Sequence, residues 1–178
     1  MHRNLYLTSG ALDMEKIKWC MKLKNGIELV EPNNNLCDTY IKKAENALKA
    51  VSVLKGNKEW EVSSCYYAMY FALYSIMMKI GVKCENHSCS TSFMKEYLSE
   101  KFKKNDPDFL KKSMNARIDT QYYSDRHIAD EFYQKMLKYA PVFLVKCKEI
   151  TNSIKQEEIN QIREKLEKIK EELDKTGD

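Results

Sequence analysis

The sequence predicts an all-α protein: an antiparallel bundle of four to five helices, with a short N-terminal extension and a helical tail. Turn formers are scarce, with five glycines and three prolines in 178 residues. That is about a third of the usual ~12%, and too few for the many turns of a sandwich or barrel. Apolar residues recur at steps of three and four through most of the chain, the spacing of one helical face. Residues 59–80 are apolar on nearly every side, which suits a helix at the centre of a bundle or at a subunit contact.

Taken in order, Asp13 is expected to cap a first short helix through Ile17, Cys20 and Met21, with Gly26 as its stop. Residues 27–32 alternate in polarity and end on Pro32, which predicts an extended segment. Together these form an extension over residues 1–35. Asn33 to Asn35 offer an N-cap for the next helix. Its stripe is Leu36, Tyr40, Ala44, Leu48, Val51 and Leu54, with Lys42, Lys43, Glu45 and Lys49 outside it and Gly56 at its end. The apolar helix from about Glu59 to Ile80 closes at Gly81. A polar loop over residues 82–90 leads to a third helix near Thr91–Phe102, and Asp106-Pro107 starts a short fourth.

Residues 115–125 are polar and aromatic with weak periodicity. From Ile128 the stripe resumes through Phe132, Met136, Tyr139, Phe143, Cys147, Ile150 and Ile154, predicting one long helix kinked at Pro141. Residues 36–155 thus form the bundle. Residues 156–178 form a charged tail with an a/d seam at Ile159, Ile162, Leu166, Ile169 and Leu173. That seam fits either dimerisation or packing on its own body.

The net charge is +4. The tail carries eight acids and five bases, leaving the body near +7, a balance compatible with a polyanionic ligand or with a solvated lysine-rich surface. The longest apolar stretch, Cys65 to Met78, is shorter than the ~20 residues of a bilayer span. The first residues, Met1 to Tyr6, hold no signal-peptide core. The chain is therefore expected in the cytoplasm, with no membrane partner and with its six cysteines reduced, mostly as small core hydrophobes.

Three groups of residues bear chemistry. Cys84, His87 and Cys89 could ligate zinc, but structural zinc takes four ligands and no second pair is evident. The expectation is no metal, with a loop thiol pair beside a hydrogen-bonding histidine. The run Tyr66-Tyr67-Ala68-Met69-Tyr70-Phe71 reads as core packing, or as packing with one or two hydroxyls lining a cleft. The third group is Arg117-Ile118-Asp119-Thr120-Gln121-Tyr122-Tyr123-Ser124-Asp125-Arg126-His127. Arginines grip phosphate and tyrosines stack on bases. His127 titrates near neutrality, although ten residues separate it from Arg117, so a loop or a second subunit has to join them. The plainer reading is a polar loop in which Asp125 caps the next helix.

The stretches Asp38-Thr39-Tyr40-Ile41-Lys42-Lys43-Ala44-Glu45, Ser63 to Ala72, Asn86-His87-Ser88-Cys89 and the Arg117 region together resemble HEPN-domain proteins, the higher eukaryote and prokaryote nucleotide-binding group. The resemblance runs over about residues 14–154. It implies a helical bundle, usually a homodimer, with a polar cleft where the subunits meet. Members include ribonucleases, often toxins, and non-catalytic nucleotide or RNA binders. Some pair with a minimal nucleotidyltransferase, and some are silenced by adenylylation of a tyrosine.

The family's nuclease motif is an arginine followed four to six residues later by histidine. Arg117 matches the arginine, but Tyr122 stands where histidine is expected, and a phenol with pKa ~10 is a poor base at pH 7. The expectation is a nucleotide- or RNA-binding dimer without a cofactor, acting with a nucleotidyltransferase or in a toxin–antitoxin or defence system. Arg117 holds phosphate, Tyr122 and Tyr123 stack or are modified, Arg126 adds charge and Asp119 orients an arginine. One alternative is a metal-independent ribonuclease using Arg117 and His127. The other is an interaction scaffold built on the tail seam.

Overall fold

The structure, a computed structural model, describes residues 9–176, with side chains from residue 14 onward; the segment Met1 to Tyr6 and the side chain of Asp13 lie outside the described residues. The elements are α1 (Ser9–Lys22), β1 (Glu28–Leu29), α2 (Asn34–Val53), α3 (Lys58–Ile80), β2 (Val82–Lys83), α4 (His87–Tyr97), α5 (Asp106–Tyr122), α6 (Asp130–Ser153) and α7 (Gln156–Thr176). The expected all-α bundle is present. Helix α3 is its axis, packed on α2, α5 and α6. Val62, Cys65, Met69, Leu73, Ile76, Met77 and Ile80 of α3 are fully buried.

Each boundary has a local cause. Helix α1 starts upstream of Asp13, so that residue lies inside the helix and is not its cap. The turn after it needs Gly26, because a Cβ there would sit 1.8 Å from the Cys20 carbonyl oxygen. The extended segment that follows pairs β1 antiparallel with β2, Glu28 opposite Lys83 and Leu29 opposite Val82. Asn33 caps α2 by accepting the Leu36 N–H at 2.9 Å. Gly81 ends α3 in the left-handed region, at φ 84°, where a Cβ would crowd Arg163 and the Val30 carbonyl. From α7, Arg163 donates to the carbonyls of Val30 and Gly81 at 2.7 and 3.1 Å.

Three further expectations need correction. Residues 82–90 are not a loop, since β2 occupies the start and α4 begins at His87, four residues early, with Asn86 accepting the Cys89 N–H. Helix α5 is not short: it runs on to Tyr122, through residues expected to be irregular. Its buried side is made of small or polar-looking residues such as Ser113 and Ala116, so packing on α3 supplies what the apolar pattern lacks. Two cysteines are not reduced thiols, because Cys20 and Cys89 form a disulfide across 69 residues of sequence. No spacing rule exposes that proximity, and a loop closure of this length stabilises by about 4 kcal/mol. Cys37, Cys65, Cys84 and Cys147 are free and buried, and burial pushes the Cys65 thiol up to about 12.

Helix α6 is continuous through Pro141. The tail seam faces its own chain, with Ile159, Ile162, Leu166 and Ile169 all buried, which removes the surface that the scaffold reading required. Leu166 is fully buried, so Leu166→Ala is expected to cost about 2–5 kcal/mol. In urea melts that loss should be independent of protein concentration; a seam that dimerises would instead show a concentration-dependent midpoint.

Candidate functional site

Between its open first turn, with Glu59 and Trp60 exposed, and half-buried Lys79 near its end, helix α3 is covered except along a stripe at helical spacing, where Ser64, Tyr67 and Phe71 are half-buried. Helix α5 lies beside that stripe and turns Arg117 toward it. Arg117 Nη2 donates to the Tyr67 hydroxyl at 3.0 Å. The guanidinium carbon stands 5.4 Å from the centroids of both the Tyr67 and the Tyr122 rings, within cation–π range. Among the described residues Arg117 has no carboxylate partner, and its Nε is buried without a protein acceptor.

The first residue of α4 joins this group. The His87 ring stacks on Tyr70, with centroids 3.9 Å apart and planes 5° from parallel. Its Nδ1 is hydrogen-bonded to the Tyr66 hydroxyl. Burial, and then the charge of Arg117, hold the imidazole below its ordinary value of 6.5. Burial also drives the Tyr66 phenol upward. A phenol that keeps its proton donates it to Nδ1, so the neutral ring carries its own proton on Nε2. The cluster therefore offers a guanidinium, an imidazole N–H and phenols. That is a set of donors around one cation, suited to the oxygens of a phosphate.

The strip of rings continues along α3 to α2. Tyr67 stacks on Phe71 at 5.5 Å, and Phe71 meets Tyr40 at 6.0 Å. Lys43 Nζ lies 4.8 Å from the Tyr40 centroid and 5.7 Å from that of Phe71. Lys43, like Arg117, has no ion pair among the described residues. Cations alternating with aromatic faces are the make-up of a single-strand platform.

The other expected residues sit elsewhere. Asp119 binds Arg126 at 2.6 Å, and that guanidinium lies 3.7 Å over the Tyr123 ring. This is a second, exposed cluster at the end of α5. His127 shares a shallow hollow with Lys112, Asn115 and Asp119, positions about half a turn around α5 from Arg117. Within one chain, then, the loop after α5 carries His127 away from Arg117. Lys58 fixes that course by donating to the Ile128 carbonyl at 2.9 Å and pairing with Asp130 at 2.5 Å.

Cys84, His87 and Cys89 do not converge as ligands. Cys89 is bonded to Cys20, His87 Nδ1 is taken by Tyr66, and the Cys84 thiol donates to the Asn86 carbonyl. A cavity of about 650 Å³ between residues 21–29 and the end of α7 lies apart from the aromatic strip and is lined by no histidine, arginine or free thiol. Sequence reasoning placed His87 in a loop with two thiols and so missed its company. Asn86, an N-cap residue type, was the signal that a helix starts there.

A family model described as HEPN domain matches residues 38–151, a span that includes every side chain of the Arg117–His87 cluster and of the strip. No curated protein matches the chain.

The lowered imidazole gives a sign that can be checked. Above its unfolded value of 6.5 His87 is neutral in both states and its seat is fully stabilising. As pH falls below that value the unfolded chain takes up the proton first, and stability drops. The melting temperature of the wild type is expected to fall more between pH 7.5 and 5.5 than that of His87→Gln, measured by circular dichroism.

Proposed function

The chain belongs to the HEPN-domain family, and from that premise we propose that it binds the phosphates of single-stranded RNA along the α3–α5 face. One observation carries the reading: Arg117 is a half-buried cation seated against the Tyr67 and Tyr122 rings, with no carboxylate among the described residues to neutralise it. Arg117 grips a phosphate through its free donors, and His87 Nε2–H supplies a neighbouring one. Tyr122, 67% exposed, stacks on a base. The strip through Phe71 and Tyr40 to Lys43 extends the contact over further nucleotides. The basic body draws the polyanion in.

Binding rather than cleavage is the reading the geometry favours. Cleavage through the 2′-hydroxyl needs a proton acceptor and a donor beside the phosphate. His127 lies on the other side of α5, and the nitrogen of His87 that could accept is already occupied by Tyr66. Action as a homodimer in the cytoplasm, beside a nucleotidyltransferase or within a toxin–antitoxin or defence system, completes the proposal and is carried by the family alone. Tyr122 and Tyr123 are its candidates for modification.

Arg117→Ala is expected to weaken binding of a labelled single-stranded RNA about 10- to 100-fold, the worth of a charge-assisted contact. The slope of log Kd against log salt should also shrink by about 0.7, one phosphate's share. Lys43→Gln should reduce the slope similarly with a smaller loss of affinity. An Arg117→Ala variant with unchanged Kd and slope sinks the proposal. RNA cleaved under EDTA, and spared by both Arg117→Ala and His127→Ala, revives the ribonuclease reading.

A further inference from the structure

The Cys20–Cys89 bond ends two residues along α4 from His87. Cys89 and His87 belong to the same opening turn, the part of a helix with the fewest internal hydrogen bonds to hold it. The sulfur on the other side belongs to the last turn of α1, a helix that packs chiefly on α4 and α7. Both cysteines are fully buried.

Around the bond, one knot ties residues 20–27 to residues 84–89. The Asn25 carbonyl accepts the N–H groups of Glu85 and Asn86, each at 3.0 Å, and the Cys20 carbonyl accepts that of Ile27 at 3.0 Å. Gly26 is pressed against that same Cys20 carbonyl. The disulfide is the covalent strand of this knot.

We infer that the thiol–disulfide state of Cys20 and Cys89 sets how tightly the Arg117–His87 face holds its anionic ligand, a regulation that rests on the binding function proposed above. A dithiol reductant is the co-reactant. Its thiolate attacks one sulfur, the S–S bond breaks, and the other cysteine leaves as a thiolate that takes up a proton. The reductant's second thiol then resolves the mixed disulfide, leaving two protein thiols and one oxidised reductant. Because neither sulfur meets solvent, α1 has to part from α4 before attack, which makes the bond slow to reduce in the folded chain.

Two thiols also fill more space than the bond they replace, in a site with none to spare. With the tether gone, the start of α4 keeps its Asn86 cap and the Asn25 hydrogen bonds but has no covalent tie to α1. Its first turn loosens, and the His87 ring leaves its seat on Tyr70 and its bond to Tyr66. Arg117 stays on α5 and keeps its own ring partners. The reduced chain therefore binds through the cation without the imidazole donor.

The full chain is reduced with dithiothreitol until intact mass shows two added hydrogens and the remaining four thiols are unchanged. Reduction is expected to weaken binding of a labelled single-stranded RNA on the order of tenfold and to shift the His87 ring signals in a nitrogen–proton correlation spectrum. The double variant Cys20→Ala/Cys89→Ala, checked for its fold by circular dichroism, should bind like the reduced chain and ignore the reductant. Full reduction that leaves both the RNA affinity and the His87 signals unchanged overturns the inference. If neither form binds RNA, the proposed function fails, and the His87 signals still decide whether the bond controls the site.

Discussion

A helix that is apolar on nearly every side has to be enclosed, and that requirement on α3 organises the molecule. Helices α2, α5 and α6 are laid against it, and α7 reaches its C-terminal end through Arg163. From Glu61 to Met78 the enclosure is complete except along Ser64, Tyr67 and Phe71. A stripe left half-open on an otherwise buried helix holds its rings rigidly, because their backbone sits in close-packed core. Aromatic faces fixed in this way lose little entropy on stacking against a ligand. The demand for burial thus determines both the bundle and the position of the α3 aromatic strip.

Charge is distributed to match. The buried carboxylate of α3, Glu61, is satisfied at the other end of the bundle by the Tyr133 hydroxyl at 2.7 Å and the Gly56 N–H at 3.2 Å. Glu45 of α2 pairs with Lys148 of α6. Asp119, two residues from Arg117, points around α5 and is held by Arg126. Glu45 and Asp119 are thus paired away from the strip, and among the described residues neither Arg117 nor Lys43 has an ion-pair partner. An arginine that shared its site with a carboxylate would be a structural ion pair, closed to phosphate.

The fold was legible in the sequence where elements announce themselves locally. Asn33 capping α2, Gly81 closing α3, Asp106-Pro107 opening α5 and the stripe of α6 all follow from short-range chemistry. What was not legible depends on packing at a distance. The length of α5 comes from its contact with α3, since its own apolar signal is weak. The Cys20–Cys89 bond joins elements 69 residues apart. At the site, Arg117 and Tyr122 were named together from the sequence, but helix spacing does not account for their contact, since five residues place them about 140° apart around α5. The company of His87 with Tyr66 and Tyr70 was not legible, because it needs α4 to start at residue 87 and to dock on α3. His127 misleads for the opposite reason. It is near Arg117 in sequence, yet Lys58 draws the connector to the N-terminal end of α3.

Tyr122 stands five residues after Arg117, where the resemblance leads one to expect a nuclease histidine. Tyr122 lies against Arg117, with the guanidinium carbon 5.4 Å from its ring centroid. A phenol there stacks and donates, but it holds its proton at neutral pH. The imidazole that does lie nearby, His87, enters from α4 with one nitrogen already committed to Tyr66 and its charge suppressed by burial and by Arg117 itself. Freeing that nitrogen requires Tyr66 to turn away from a position where it is only 2% exposed and stacked on its neighbours. In the binding mode proposed above, the same packing that seats the donors withholds the base that cutting RNA requires, because the Tyr66 hydroxyl occupies the accepting nitrogen of His87.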